Sequence, residues 1–240
     1  MSNGMRRLVL VATAGGLALV CVVVFASTPC LAAPVGFSAT DFGDSLWDVT
    51  VVYETGAGGA ASGWHVEDGG HSGQLGDGWR QCRITINAGG PSSVWAFHRC
   101  IPFNYDPQAQ GAISTIDFAD YALLVTGQHN TGPAIRQNGV VYAALGLLVT
   151  DDSWKRKMLT GLVESDFKVI AGTATPDFSA NGPAFEVGFV TGASTSVDEH
   201  GVYQIDTGID NWGLVINPVP EPATLTLLAL GGLMALRRRR

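Results

Sequence analysis

The chain of 240 residues reads as an all-β protein, an antiparallel β-sandwich, with one apolar segment at each end. Three observations predict this. Short runs of β-branched and aromatic residues alternate with turn chemistry, the pattern of a sandwich. Glycine is abundant throughout (31 residues), and no long amphipathic helix is visible in the pattern. No internal repeat of fixed period is present, which sets aside solenoids and propellers.

The first element is a secretory signal peptide, residues 1–33. Arg6 and Arg7 make a positive n-region, residues 8–25 an apolar h-region, and residues 27–33 a polar exit of small residues. Cleavage is expected after Ala32 or after Ala33. An uncleaved anchor is the alternative, since the apolar run is long; Pro29 and the small residues favour processing.

The β domain occupies residues 34–217, enough chain for one sizeable core. Residues 46–54 (LWDVTVVYE) form its first predicted strand, and a Gly-rich loop follows over 56–78. Residues 79–87 (WRQCRITIN) alternate, with Cys82, Ile84 and Ile86 on one face and Arg83 and Thr85 on the other. Further strands are predicted at 94–99, 113–126 and 140–150, the last after an Asn138-Gly139 turn that readily takes positive φ. Strands at 154–162, 184–190 and 208–216 complete the series, with a helical turn over 162–167.

The chain closes on VPEPATLTLLALGGLMALRRRR from Val219. The prolines hold the segment extended and exposed. Residues 223–236 are almost wholly apolar but span only about 21 Å as a helix, against a hydrocarbon core of roughly 30 Å. The arginines can snorkel to cytoplasmic headgroups. A plain tail anchor or a buried helix is the alternative, and terminal charges argue against burial. This ending resembles the PEP-CTERM sorting signal of Gram-negative, biofilm-forming bacteria, carried here by Val219, Pro220, Glu221, Pro222 and Arg237, Arg238, Arg239 and Arg240. The resemblance implies that residues 218–240 are a transmembrane sorting helix, cut by a membrane protease-transpeptidase, the exosortase. The partner is thus exosortase, with a transient stay in the inner membrane and delivery to the cell surface or extracellular polymer matrix.

Composition agrees with export. All 21 acidic residues lie between Asp41 and Glu221, and losing six terminal arginines leaves 8 basic residues against them, a formal charge of −13. Such a surface repels nucleic acid, which is therefore excluded as a partner, and suits divalent cations or neutral polymers. Cys82 and Cys100 alone survive signal removal; an even pair in an oxidising compartment predicts a disulfide, with two buried thiols as the alternative.

The exported part also resembles bacterial jelly rolls in the style of laminin-G-like, concanavalin-like and carbohydrate-binding modules. The likeness rests on STIDFADYALLV (114–125), QNGVVY (137–142), LVESDFKV (162–169), TPDFSANGPAFEVGF (175–189) and GIDNWGLVI (208–216). It implies a jelly-roll sandwich that binds polysaccharide or serves as a matrix component. It also implies a structural calcium ion, since the last-strand aspartate of such folds commonly helps to hold one: Asp210 matches it, with Asp41 or Asp44 completing the all-oxygen set.

Catalytic signatures are weak. GGHSGQ at 69–74 approaches a nucleophile elbow but ends in Gln74, without strand–helix alternation around it. His65, Asp68, His71 and Asp77 crowd one loop but lack zinc-motif spacing. Paired acids for glycoside hydrolysis would come from Asp117, Asp120 or Glu186. The expectation is a non-enzymatic module, with a secreted jelly-roll hydrolase of matrix glycans as the alternative. Sugar platforms are expected at Trp64 and Trp154, while Trp47 and Trp212, inside alternating strands, are assigned to the core.

Overall fold

The computed structural model describes residues 33–40, 42–196 and 201–220. The predicted signal through residue 32, Asp41, and Glu221 to Arg240 lie outside the described residues. Among the described residues no helix is long and apolar enough to cross a membrane. In order, the strands are β1 (Val35–Ala39), β2 (Trp47–Thr55), β3 (Gly59–Val66), β4 (Trp79–Ile86), β5 (Ser92–Tyr105), β6 (Ile113–Thr126), β7 (His129–Gln137), β8 (Val140–Ala143), β9 (Leu147–Val149), β10 (Lys155–Leu162), β11 (Lys168–Val169), β12 (Phe185–Thr195) and β13 (Tyr203–Pro218). A single-turn helix, α1 (Pro107–Gln110), joins β5 to β6.

They form two antiparallel sheets packed as a jelly-roll sandwich. One has six strands in the order β10-β6-β13-β4-β3, with β1 on β13; the other has seven in the order β11-β8-β7-β12-β5-β2, with β9 on β7. Alternation sorts the side chains. From the six-stranded sheet Ile116, Phe118, Cys82, Ile84, Ile209, Leu214 and Ile216 turn inward; from the seven-stranded sheet Val94, Ala96, Ile135, Val187 and Phe189 meet them. Trp47 and Trp212 are core residues, edge to face at 5.6 Å.

Most predicted strands are present. The Asn138-Gly139 turn joins β7 to β8 with φ of 52° and 80°, the positive values a tight hairpin demands. The run 140–150 is two strands, broken where Gly146 takes φ 139°. The Gly-rich loop at 56–78 hides β3, whose glycines answer close packing: a Cβ on Gly63 would meet the Arg80 guanidinium at 2.7 Å, and one on Gly59 would overlap the Thr85 carbonyl.

The predicted Cys82–Cys100 disulfide does not form; both thiols are free and buried. They sit on β4 and β5, in opposing sheets, and sheets stack about 10 Å apart, beyond the usual reach of a disulfide between Cα atoms. Cys82 Sγ instead faces His98 Nδ1 at 3.8 Å, and burial pushes both thiols up to about 12.

The interior also holds ionisable groups. Asp120 and His129 are buried with no hydrogen-bond partner among the described residues. Burial raises Asp120 to about 8 and lowers His129 to about 3, so each is neutral near pH 7. Arg80, 1% exposed, lies with its guanidinium 5.4 Å from the Trp47 ring centre.

Candidate functional site

The outward side chains of the seven-stranded sheet build a cleft. Glu186, Gly188, Val190 and Gly192 alternate along β12, and register sets Arg99 beside Gly188, Phe97 beside Val190, Trp95 beside Gly192 and Arg136 beside Glu186. A Cβ on Gly192 would fall inside the Trp95 indole, so the ring lies flat upon the β12 backbone. The ring is half-buried, and its N–H makes no hydrogen bond among the described residues. Flatly pinned aromatic rings of this kind can stack on apolar faces.

Further along β12, beyond the Phe97–Val190 pair, the same face carries a charged row. Glu186 accepts from Arg136 Nε and forms an ion pair through Oε1 with Arg99 Nη2 at 2.9 Å. The hydrogen bond to Glu186 raises the pKa of Arg136, whose guanidinium sits 5.7 Å from the Phe97 ring centre. The row keeps planar donors and acceptors in fixed orientation.

The sheet's two edges line the same depression. Thr50, Val51 and Val52 of β2 share a cavity of about 370 Å³ with Arg136, with Val140 and Val141 of β8, and with Val169 and Ile170. In a flat sheet β2 and β11 would stand about 24 Å apart, five strand spacings of roughly 4.8 Å. The sheet therefore curls, with Phe97, Ala134 and Val190 in the apolar floor.

The opposite face belongs to the six-stranded sheet and is largely covered. Trp79 and Trp154 meet edge to face at 5.6 Å over Gly208, whose Cβ would lie 2.8 Å from Trp154 and 2.9 Å from Trp79. Both indoles are tied to the loop between β3 and β4: Trp79 Nε1 donates to the Asp68 carbonyl (3.0 Å) and Trp154 Nε1 to the Gly69 carbonyl (3.1 Å). Trp64, predicted as a loop residue, lies in β3 with the Arg83 guanidinium 5.1 Å from its ring centre. Arg83 in turn donates twice to Asp206, at 2.7 and 2.8 Å.

Of the acids expected to hold calcium, Asp41 lies outside the described residues, and Asp44 and Asp210 each have other partners. Asp44 accepts from the His65 amide at 2.9 Å and lies 3.8 Å from Arg80 Nη1. Asp210, 1% exposed, accepts from the His71 amide (2.8 Å) and the Asn211 amide (2.6 Å), and its Oδ2 lies 2.9 Å from His71 Nδ1, which is also 2.9 Å from Asn211 Nδ2. Asp77 is the neighbour of that pair, its Oδ2 accepting from Ser72 N (2.8 Å) and Ser72 Oγ (2.6 Å), which holds its carboxyl below the usual range. Ser72 thus gives its proton to Asp77 and not to His71, so the two do not form a nucleophile–base pair.

The three carboxylates considered for glycoside chemistry sit apart. Asp117 accepts from Gly161 N and Asn217 Nδ2, Asp120 faces the interior, and Glu186 lies in the cleft between its arginines. Among the sorting residues, Val219 is half exposed and its amide donates to the Ala112 carbonyl at 2.7 Å. Trp95 and the two arginines carry no local signal in the sequence; the glycine that seats Trp95 comes from a strand far along the chain.

Residues 218–240 match the family model of the PEP-CTERM protein-sorting motif, and the chain carries that motif. No curated protein matches over the chain. Among solved structures, the chain is similar to the Family 11 carbohydrate-binding module from Clostridium thermocellum in complex with a β-1,3-1,4-mixed-linked tetrasaccharide. That match has 13% identity and a TM-score of 0.43, over 78% of this chain and 98% of that one. It is also similar to the CBM22-1 xylan-binding domain of Xyn10C from Paenibacillus barcinonensis, at 11% identity and a TM-score of 0.39, over 77% and 94%. A third match is an arabinose-bound α-L-arabinofuranosidase, MgGH51, at 15% identity and a TM-score of 0.41, over 72% of this chain and 23% of that one.

Proposed function

We propose that this is an exported protein of the cell surface or extracellular polymer matrix whose sandwich binds polysaccharide, without hydrolysing it, in the cleft of the seven-stranded sheet. The observation that carries the binding reading is the Trp95 indole laid over Gly192 on the outer sheet face that also carries, further along β12, the Arg99–Glu186–Arg136 row. Sugar rings offer apolar faces edged by hydroxyls. A pinned indole suits the face, and fixed guanidinium and carboxylate groups suit the edge. The acidic surface favours a neutral polymer over a polyanion.

Delivery rests on the C-terminal motif. The N-terminal signal sends the sandwich across the inner membrane, and the apolar tail with Arg237 to Arg240 holds the C-terminus until exosortase cuts. Glu221→Ala should leave uncut protein in the inner membrane; normal release of that variant would defeat the sorting role.

Binding is tested with the purified full chain against soluble β-glucan, xylan and galactan. Trp95→Ala should weaken whichever interaction is found by about 10- to 100-fold, the loss of one central aromatic contact. Trp154→Ala should leave it unchanged. Equal affinity in Trp95→Ala and the parent would place the ligand elsewhere, and release of reducing sugar by the parent would favour a hydrolase.

A further inference from the structure

We infer that His71, Asp77 and Asp210 form a binding site for a divalent first-row transition-metal ion on the outer face of the six-stranded sheet. One nitrogen of His71 and one oxygen from each carboxylate lie within 4.8 Å of one another. His71 Nδ1 is 2.9 Å from Asp210 Oδ2 and 4.0 Å from Asp77 Oδ2. With metal–ligand bonds of about 2.0–2.2 Å, ligands at a right angle stand about 3 Å apart and opposed ligands about 4.2 Å apart. Both distances from His71 Nδ1 fall within the range that two ligands of one ion span.

The setting is built in advance. His71 and Asp77 sit on the loop between β3 and β4, which bonds to itself through Gly70 N to the Asp77 carbonyl (2.8 Å) and Gly73 N to the Gly70 carbonyl (3.0 Å). Trp79 and Trp154 pin that loop to the sheet. Asp210 rises from β13 where the strand bulges and Asn211 takes φ 45°. Tyr121 stacks on the His71 ring at 4.1 Å and fixes its plane. A cavity of about 380 Å³, lined by His71, Ala119, Asp120, Tyr121, Arg156 and Asn211, leaves a path from solvent.

A separate observation asks for a cation. Asp210 is 1% exposed; it accepts from the Asn211 amide (2.6 Å) and the His71 amide (2.8 Å), and among the described residues its only ion-pair partner is His71. A buried carboxylate without a fixed positive charge is costly, and a metal ion supplies that charge. The ion would take the place of the direct contact between Nδ1 and Asp210 Oδ2. One imidazole nitrogen with two carboxylates suits zinc and its neighbours, whereas calcium takes six to eight oxygens and no nitrogen. The site is independent of the polysaccharide cleft, which lies on the other sheet.

The untagged full chain, stripped with chelator, is titrated with zinc chloride and in parallel with calcium chloride by calorimetry. One zinc per chain is expected, with a higher melting temperature and no displacement by excess calcium. His71→Ala and Asp77→Asn, both at the solvent-facing rim of the site, should each weaken zinc binding at least tenfold while the far-ultraviolet circular dichroism stays unchanged. Absence of zinc uptake, preference for calcium, or weakening in only one of the two variants would overturn the three-ligand assignment.

Discussion

On both outer faces of the sandwich an indole lies over a glycine, yet the two faces leave their tryptophans in different states. On the six-stranded sheet the N–H groups of Trp79 and Trp154 are bonded to the carbonyls of Asp68 and Gly69, and Arg83 covers Trp64. Those rings hold a loop. On the seven-stranded sheet the Trp95 N–H has no such bond among the described residues, and the ring lies on the face that carries the paired Arg99, Glu186 and Arg136. A glycine under a tryptophan therefore does not by itself mark a ligand platform. What matters is whether the protein has used the ring's polar edge and free face itself.

The inner faces differ in an equally testable way, and here the expected effect is largest. The six-stranded sheet hides a carboxyl, Asp120, raised by burial to about 8; the seven-stranded sheet hides an imidazole, His129, lowered by burial to about 3. Unfolded, they titrate near 3.8 and 6.5. From about pH 4 to 8 folded Asp120 keeps a proton that the unfolded chain has released, so stability falls as pH rises, by up to about 1.4 kcal/mol per pH unit. From 6.5 down to about 3 the unfolded chain binds a proton that folded His129 refuses, so stability falls as pH drops. Where the windows overlap the slopes oppose each other, and from about 6.5 to 8 Asp120 acts alone. Asp120→Asn should flatten the decline in urea midpoint between pH 6.5 and 8; a variant that keeps the parent slope would show that Asp120 is not the titrating group.

How far the sequence could be read follows the same physics. Hairpin chemistry at Asn138-Gly139 and the alternation of 79–87 are local signals, and both elements exist as predicted. Strand β3 escaped because its glycines answer neighbours distant in sequence, Thr85, Val94 and Arg80, and glycines in a row read as loop. An even cysteine count says nothing about which sheet each thiol occupies, so Cys82 and Cys100 misled. Asp210 was singled out from the closing strand alone; the neighbours it has among the described residues, His71 and Asp77, come from the loop between β3 and β4, which no local signal ties to it. Likewise Trp95 is one tryptophan among six until register sets Gly192 beneath it.

The smaller effect separates the two glycines. Gly192→Ala places a methyl group inside the Trp95 ring, which is held in mid-strand and can escape only by lifting off the sheet. Overpacking of this kind costs about 1–3 kcal/mol, and polysaccharide affinity should fall with it because the platform is displaced. Gly208→Ala meets Trp154 at 2.8 Å and Trp79 at 2.9 Å, both held by hydrogen bonds to the loop between β3 and β4, so a comparable loss of about 1–3 kcal/mol is expected, but with affinity unchanged. Urea midpoints and polysaccharide titrations on the pair would decide the matter. If Gly208→Ala abolished binding while Gly192→Ala did not, the roles assigned to the two faces would have to be exchanged.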